Sequence, residues 1–439
     1  MKTKINLNLV LVLIIALMHF TSTSAQIGRR FPSEKKVVKD PVTGTELTFL
    51  TSSPYNNGKI YQTHPQWTAD GQWVIFRSDR VPGEAFAVNE KTGVIIQVSE
   101  GGYSGMLNIA RKSMKLYFMR NAISEQGQSQ TGQMQVVEVD LASLFTDSKA
   151  NTLKPAKVYQ RICGTTPVEM EAGGDMALDA DEKVVYFRVG NKESAGYLPE
   201  GTKIEPNFGP NSRGAGPTGI GSMKINTGET KVVVAVPFQI GHIQTNQWVP
   251  GEIVFCWETG GKAPQRTWTV MSDGTGLKPL YPESEYEWVT HEAVISKDEV
   301  AFALTWNRKP GTPEQGWGPA GTREKPTGLG IINIRTREMT IAGQTLSGGG
   351  YWHVNGSSDG RWAVGDNFQR QIYLIDRNNR ETILLSSGHK ETASDHPHPT
   401  FNAEGTKIII QSAMLSEDNK SLNLCVIPVP DSWLIRKYD

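Results

Sequence analysis

The segment His64-Pro-Gln-Trp-Thr-Ala-Asp-Gly-Gln-Trp-Val-Ile-Phe76 carries the pattern that decides the fold: a polar start, an Asp-Gly turn and a short apolar strand. Asp and Gly favour a tight turn because Asp bonds to nearby backbone groups and Gly accepts a positive φ. Six further copies, some with substitutes for the Asp-Gly pair, follow along the chain, and each is followed by a second strand. The copies span residues 108–118, 176–187, 247–255, 291–302, 353–364 and 398–410.

This repetition predicts an all-β fold, a seven-bladed β-propeller, because paired strands recur seven times with little helical periodicity. We expect residues 26–439 to form this one domain, with residues 26–60 preceding the first blade or helping to close it. An all-β stack of two sandwiches is the alternative, but it would not explain seven copies of one motif.

Residues 1–25 have the features of a signal peptide. Lys2 and Lys4 precede an apolar run, Leu9 to Phe20, and small residues lead up to Gln26. No cysteine follows the apolar run, so a lipid or other membrane anchor is not expected. The sequence therefore predicts an exported protein, periplasmic or secreted.

The overall charge limits the classes of partner. The 439 residues include 45 basic and 45 acidic side chains, which leaves no basic excess for binding a nucleic acid. Three cysteines, Cys163, Cys256 and Cys425, are too few for a disulfide framework, so buried thiols are expected. Nothing in the sequence determines the oligomeric state.

The histidines are placed in register with the repeats. In propellers of this repeat type the start of each copy is the innermost strand, beside the central channel. Six histidines stand at or just before such starts, and we expect them at one mouth of the channel: His64, His242, His291, His353, His396 and His398. Such a gathering predicts a catalytic or metal site and leaves Mn, Zn, Ni and Fe open. For His64 a structural hydrogen-bonding role is the alternative.

Five segments give the sequence its likeness to a known family: Trp288-Val-Thr-His291-Glu, Asp395-His-Pro-His-Pro399, Phe76-Arg-Ser-Asp-Arg80, Gly241-His242 and Arg266-Thr-Trp-Thr-Val-Met-Ser-Asp-Gly. With them the chain resembles the oligogalacturonate lyases, polysaccharide lyase family 22, which are seven-bladed propellers. The resemblance covers most of residues 26–439 and is weakest in the second and third copies.

The resemblance implies a site. His291, His396 and His398 would bind a divalent ion, typically Mn²⁺, and His242 would be the base, with Tyr351 as an alternative. The family's glutamine ligand is replaced by Ala393, so water or His353 would complete the metal's ligands.

The family also has an arginine upstream of the base, for which Arg213 is the nearest candidate here. Arg77, Arg80 and His64 are predicted to bind substrate, and for the two arginines a surface ion pair is the alternative. Glu292 and Asp395 adjoin predicted ligands and are expected to orient them.

The implied reaction is β-elimination from a uronate in an acidic oligosaccharide such as those from pectin. A cation at the carboxylate offsets the charge that develops when the proton next to it is removed. A neutral imidazole is a suitable base near pH 7. A lyase for another acidic polysaccharide, such as an algal uronate glycan, and a non-catalytic propeller that binds glycans or proteins are the alternatives.

Overall fold

Seven antiparallel sheets make up most of the computed structural model, which describes residues 26–438 except 53, 124–128, 208–213, 259–262, 285–286, 306–326 and 347–349. The strands, in chain order, are β1 (Arg30–Phe31), β2 (Lys36–Lys39), β3 (Glu46–Phe49), β4 (Asn57–Lys59), β5 (Trp73–Ser78), β6 (Ala85–Asn89), β7 (Ile95–Gln97), β8 (Ser104–Ile109), β9 (Lys115–Ile123), β10 (Ser129–Asp140), β11 (Gln160–Thr165), β12 (Met176–Leu178), β13 (Val184–Val189), β14 (Thr218–Lys224), β15 (Thr230–Val236), β16 (Ile240–Thr245), β17 (Glu252–Trp257), β18 (Thr267–Met271), β19 (Lys278–Pro279), β20 (Trp288–Val294), β21 (Glu299–Thr305), β22 (Gly328–Asn333), β23 (Met339–Gly343), β24 (His353–Gly356), β25 (Trp362–Asp366), β26 (Ile372–Asp376), β27 (Thr382–Ser386), β28 (Thr400–Phe401), β29 (Lys407–Ser412) and β30 (Asn423–Pro428). The α-helices are α1 (Leu141–Ala150), α2 (Asn191–Ala195) and α3 (Asp431–Leu434).

The sheets are the blades of a seven-bladed β-propeller, which confirms the predicted fold. From the channel outward, blade 1 contains β4, β5, β6, β7 and β1. Blades 2 to 6 each contain four consecutive strands, β8–β11, β12–β15, β16–β19, β20–β23 and β24–β27. From blade 2 to blade 7, the innermost strand of each blade contacts that of the next around the channel.

Blade 7 joins the two ends of the described chain. Its three inner strands are β28, β29 and β30, and its two outer strands are β3 and β2 from the other end. Leu47 and Phe49 of β3 are completely buried against this blade. Burying two such side chains contributes about 1.5–3 kcal/mol each, so the closure of the ring rests on apolar packing as well as on strand pairing.

The Asp-Gly turns behave as the sequence indicates. In blade 1, Asp70 accepts hydrogen bonds from the Thr68 hydroxyl (2.6 Å) and the Gln72 amide (3.0 Å), and Gly71 has a φ of +67°. In blade 6, Asp359 is bound in the same way by Ser357 and Arg361. Each turn therefore satisfies its backbone locally, which is why the repeat is readable in the sequence.

The apolar core lies between the blades. Every residue of β6 and of β17 is buried, on both faces of the sheet, because each blade is covered by a neighbour on either side. Among the described residues, no helix is long and apolar enough to cross a membrane.

Candidate metal and catalytic site

The channel of the propeller is crossed by one short segment. Lys59 pairs with Phe76, and the Gln66 carbonyl accepts a hydrogen bond from the next residue of that partner strand, Ile75. The residues between them, 60–65, therefore leave the sheet of blade 1 and project into the channel. We call residues 60–65 the channel plug.

The plug is attached to blades on the far side of the channel. The Gln62 amide nitrogen donates to the carbonyls of His291 in blade 5 (3.0 Å) and Val354 in blade 6 (3.1 Å). The ring Nε2 of His64 bonds to the carbonyl of Met176 in blade 3 (3.0 Å). At its base, the buried Lys59 ammonium donates to the carbonyl of Ile60 (2.8 Å), and burial lowers the pKa of Lys59 well below its ordinary value. The plug is thus a fixed floor within the channel.

Three histidines above this floor have a left-handed backbone. The φ values are +50° at His242, +55° at His291 and +51° at His398. At His242 and His291 the register with the neighbouring strand also shifts, which marks a β-bulge. A residue with a side chain costs about 1–3 kcal/mol in such a strained conformation, and strain of this kind is concentrated at functional sites.

His353, Asp366 and His396 form a compact group. Their ligand atoms, one from each residue, lie within 4.8 Å of one another, and Asp366 is wholly buried. Asp366 faces the Nδ1 atoms of His353 (3.2 Å) and His396 (2.8 Å) and accepts the His353 backbone N–H (3.0 Å). Burial alone would raise the pKa of Asp366, but the two imidazoles together hold it below its ordinary value.

Two more imidazoles pack against His353. Its ring centroid is 4.1 Å from that of His291 and 3.7 Å from that of His398. Both lie outside the 4.8 Å group defined by His353, Asp366 and His396. The segment around His398 is irregular, and the rings of His396 and His398 both lie near the His353 ring.

Each of these four histidines has one ring nitrogen engaged by the protein. Nδ1 of His353 and of His396 faces Asp366, Nε2 of His398 faces Asp395 (3.1 Å), and Nδ1 of His291 faces the Thr290 hydroxyl (3.1 Å). The second nitrogen of each ring has no hydrogen-bond partner among the described residues, and that of His398 is buried. Metal-binding histidines are commonly anchored in this way, with a carboxylate on one nitrogen and the ion on the other.

The protonation of the cluster suits a metal ion. Burial lowers the pKa of His353 to about 3, and burial also lowers the pKa values of His291 and His398. Neutral imidazole is the form that binds metals, so these rings could bind an ion at neutral pH without losing a proton. A set of imidazole nitrogens, oriented by one carboxylate, fits a divalent transition metal.

His242 lies beside this cluster, across the plug residue Tyr61. The centroid of the Tyr61 ring is 5.0 Å from that of His242 and 5.0 Å from that of His398. His242 Nε2 is 3.5 Å from the Glu258 carboxylate, and its side chain is 27% exposed, whereas Nδ1 is buried. The buried nitrogen of His242 is therefore Nδ1, and Nε2 is the nitrogen that faces the Glu258 carboxylate.

A second group of potential ligands, His242, Cys256 and Glu292, also lies within 4.8 Å. Arg266 donates to the Glu292 carboxylate (2.9 Å), and burial raises the pKa of the Cys256 thiol well above its ordinary value. A guanidinium in this position disfavours a metal cation. Glu292 therefore pairs with Arg266 and does not orient His291 as expected, whereas Asp395 does contact His398.

Some predicted site residues lie elsewhere. His64 is buried, and both of its ring nitrogens are bonded, to Thr63 and to Met176, so it belongs to the plug and not to the mouth. The predicted substrate contact of Arg80 is wrong, because its side chain is 1% exposed and its guanidinium is bound by Glu34, Ser78 and Asn57. Buried Tyr351 donates to the Gln344 carbonyl. Arg213 lies outside the described residues.

Arg77 remains a candidate for contacting substrate. It donates to the Gly105 carbonyl (3.1 Å), and its Nε is buried without a hydrogen-bond partner among the described residues. Arg188 follows Phe187 in blade 3 as Arg77 follows Phe76 in blade 1, and it shares the charge environment of Asp175 with His242. Sequence reasoning missed Arg188, although its place near the end of an inner-hairpin strand, matching that of Arg77 in β5, was a usable signal.

The fold and site together define a propeller with a histidine-rich centre at one channel mouth. Two solved structures are similar to it. An oligogalacturonate lyase in complex with manganese has a TM-score of 0.70 and 17% sequence identity, covering 93% of this chain and 99% of that chain. An oligogalacturonate lyase from Vibrio parahaemolyticus has a TM-score of 0.67 and 17% identity, covering 93% of this chain and 100% of that chain.

These structures confirm the resemblance at the level of the fold, since the identity is low. No protein-family model matches the chain, and no curated protein sequence matches it.

Proposed function

We propose that this protein is an exported, metal-dependent lyase that cleaves uronate-containing oligosaccharides by β-elimination. The observation that carries the proposal is the arrangement of five histidines. In four of them one ring nitrogen is hydrogen-bonded and the other has no partner among the described residues. The fifth, His242, is separated from this cluster by the Tyr61 ring and lies 3.5 Å from the Glu258 carboxylate.

We propose His291, His353, His396 and His398 as the ligands of a divalent ion. Manganese is the proposed metal because the similar oligogalacturonate lyase was solved with manganese. His353 would occupy the ligand position left open by Ala393, which packs in a small apolar cluster with Ala413 and Leu422. When bound, such an ion offsets the charge on a substrate carboxylate during proton removal.

His242 is proposed as the general base. Its Nε2 would accept the proton at C5 of the uronate, and the oxygen at C4 would leave as the double bond forms. The Glu258 carboxylate, 3.5 Å away, would stabilise the resulting imidazolium. Arg77 is proposed to bind a substrate carboxylate, since its Nε lacks a partner among the described residues. Arg188 is proposed for the same role because it has the matching position in blade 3 and shares the charge environment of Asp175 with His242.

The substrate class follows from the same chemistry. We propose galacturonate oligosaccharides of the pectin type, which are the substrates named for the two similar structures. Another acidic glycan with a 4-linked uronate would satisfy the same base and cation. A panel of short acidic glycans therefore belongs in the test.

The test is the appearance of ultraviolet absorbance from unsaturated uronates. Metal-loaded protein should generate this absorbance from oligogalacturonates. His242→Ala should lower turnover by about a hundredfold or more, the usual scale for losing a general base, and keep its metal content. His398→Ala is the matched variant, and it should lose metal as well as activity.

Absence of the absorbance with every acidic glycan would contradict the lyase proposal and favour a binding protein. Loss of metal in His242→Ala would instead make His242 a ligand.

A further inference from the structure

A second cavity lies on the other side of the channel plug. It has a volume of about 470 Å³ and is bordered by plug residues and by the far ends of inner strands from blades 1, 2, 4, 5, 6 and 7. The volume falls within the range of about 300–1,000 Å³ that is typical of small-molecule sites. The histidine cluster does not border this cavity, apart from His64 of the plug.

Arg111 in this cavity lacks a counter-ion. Its guanidinium carbon lies 4.4 Å from the ring centroid of Trp248, which holds the side chain in place. Its Nη1 is buried, and the guanidinium has no hydrogen bond or ion pair with any residue that the structure describes. Burial lowers the pKa of Arg111, with no carboxylate offsetting it. A charge in such a position is costly unless something pairs with it.

Two amide oxygens on the plug and just after it also lack partners. The Gln66 nitrogen donates to the carbonyls of Tyr61 (3.2 Å) and His64 (2.7 Å). The Gln62 nitrogen likewise donates to two carbonyls. Since a carbonyl accepts only from N–H or O–H, neither amide can be rotated the other way. Each side-chain oxygen is therefore fixed, and each is buried without a donor among the described residues.

We propose that this cavity binds a small hydroxylated carboxylate of the sugar-acid class. The carboxylate would pair with Arg111, and hydroxyl groups would donate to the unpartnered oxygens of Gln62 and Gln66. Phosphate fits less well, because it offers acceptors where the glutamine oxygens require donors. Two further wall residues, Asp70 and Glu404, also disfavour an anion of higher charge.

The experiment measures binding of D-galacturonate and of its neutral counterpart D-galactose by isothermal titration calorimetry. Wild-type protein should bind galacturonate at least tenfold more tightly than galactose, since a charged hydrogen-bonded pair is at stake. Arg111→Met should weaken galacturonate binding at least tenfold. Arg361→Met is the matched control, because Arg361 also lies over a tryptophan (Trp362, 5.1 Å) but has its own ion pair with Asp359.

His398→Ala removes a proposed metal ligand of the histidine site, and this variant should still bind galacturonate at least tenfold more tightly than galactose. The proposal is overturned if galactose binds as tightly as galacturonate, if wild type binds neither, or if Arg111→Met binds like wild type. Binding that is lost in His398→Ala but kept in Arg111→Met would assign the ligand to the histidine site. The comparison of the two sugars on His398→Ala protein tests the proposal even if Arg111→Met fails to fold.

Discussion

Replacing Asp366 by Asn should weaken metal binding without unfolding the propeller. One Asp366 oxygen faces the backbone N–H and Nδ1 of His353, and the other faces Nδ1 of His396 at 2.8 Å. Asparagine keeps one accepting oxygen, which can remain with His353. Its amide group then donates toward His396 Nδ1, so His396 must carry its proton on Nε2, the nitrogen proposed to bind the ion.

The expected loss of metal affinity in Asp366→Asn follows from the one hydrogen bond that is lost between residue 366 and His396. A hydrogen bond to a charged group contributes about 1.5–3 kcal/mol, which corresponds to a roughly 10- to 100-fold loss of metal affinity. The same range is typical for removing a carboxylate that orients a metal-binding histidine.

The assay is calorimetric titration of Mn²⁺ into chelator-treated protein. Asp376→Asn is the matched control, because Asp376 is equally buried in blade 6 but pairs with Arg436 and Tyr438 away from the site. It should bind metal like wild type even if its stability falls. An Asp366→Asn protein with wild-type metal affinity would refute the proposed anchoring of His396.

Two further outcomes are expected. Arg188→Met should raise KM for oligogalacturonate at least tenfold while metal content stays unchanged. Arg361→Met is the control and should leave both KM and metal content as in wild type. An unchanged KM in Arg188→Met would remove Arg188 from the substrate contacts. Buried His389 bonds to Ser386 and Ser412, and burial lowers its pKa to about 4. Because its unfolded pKa is near 6.5, the unfolded state binds the extra proton, and stability is lost as the pH falls from about 6.5 toward 4. Urea unfolding at pH 7 and 4.5 should show His389→Gln losing about 2 kcal/mol less than wild type over this interval, and equal losses would contradict the shift.

The fold was predictable because its signal is local. Each Asp-Gly turn satisfies its own backbone, so the repeat survives in the sequence even where the blades differ. The closing of blade 7 by β2 and β3 was not predictable in the same way. Those strands pair with residues at the other end of the chain, and their sequence contains no mark of the partner.

One missed element did have a local signal. Helix α1 begins at Asp140, whose side chain accepts the Ser143 backbone N–H, and buries Leu141, Leu144 and Phe145 on one face. An N-cap followed by apolar residues at this spacing indicates a helix, so α1 could have been found.

The site was partly predictable for a similar reason. Histidines at the starts of inner strands stood out because they follow the repeat. Asp366 was missed, although counting outward from the turn at Gly360 places it opposite His353 in the hairpin. The plug gave no signal, since Tyr61 and Gln62 make their contacts with blades 4 to 7, far away in the sequence.

The plug also determines by which opening a molecule reaches and leaves the histidine mouth. Because residues 60–65 are bonded to blades 3, 5 and 6, they obstruct the channel between the histidine mouth and the opposite face. A polymer chain threaded through the ring would have to displace these contacts. Whatever is bound at that mouth enters and departs by the same opening, so a new molecule must wait until the previous one has left. For the proposed lyase, departure of the product would therefore set an upper limit on turnover, independent of how fast the bond is broken.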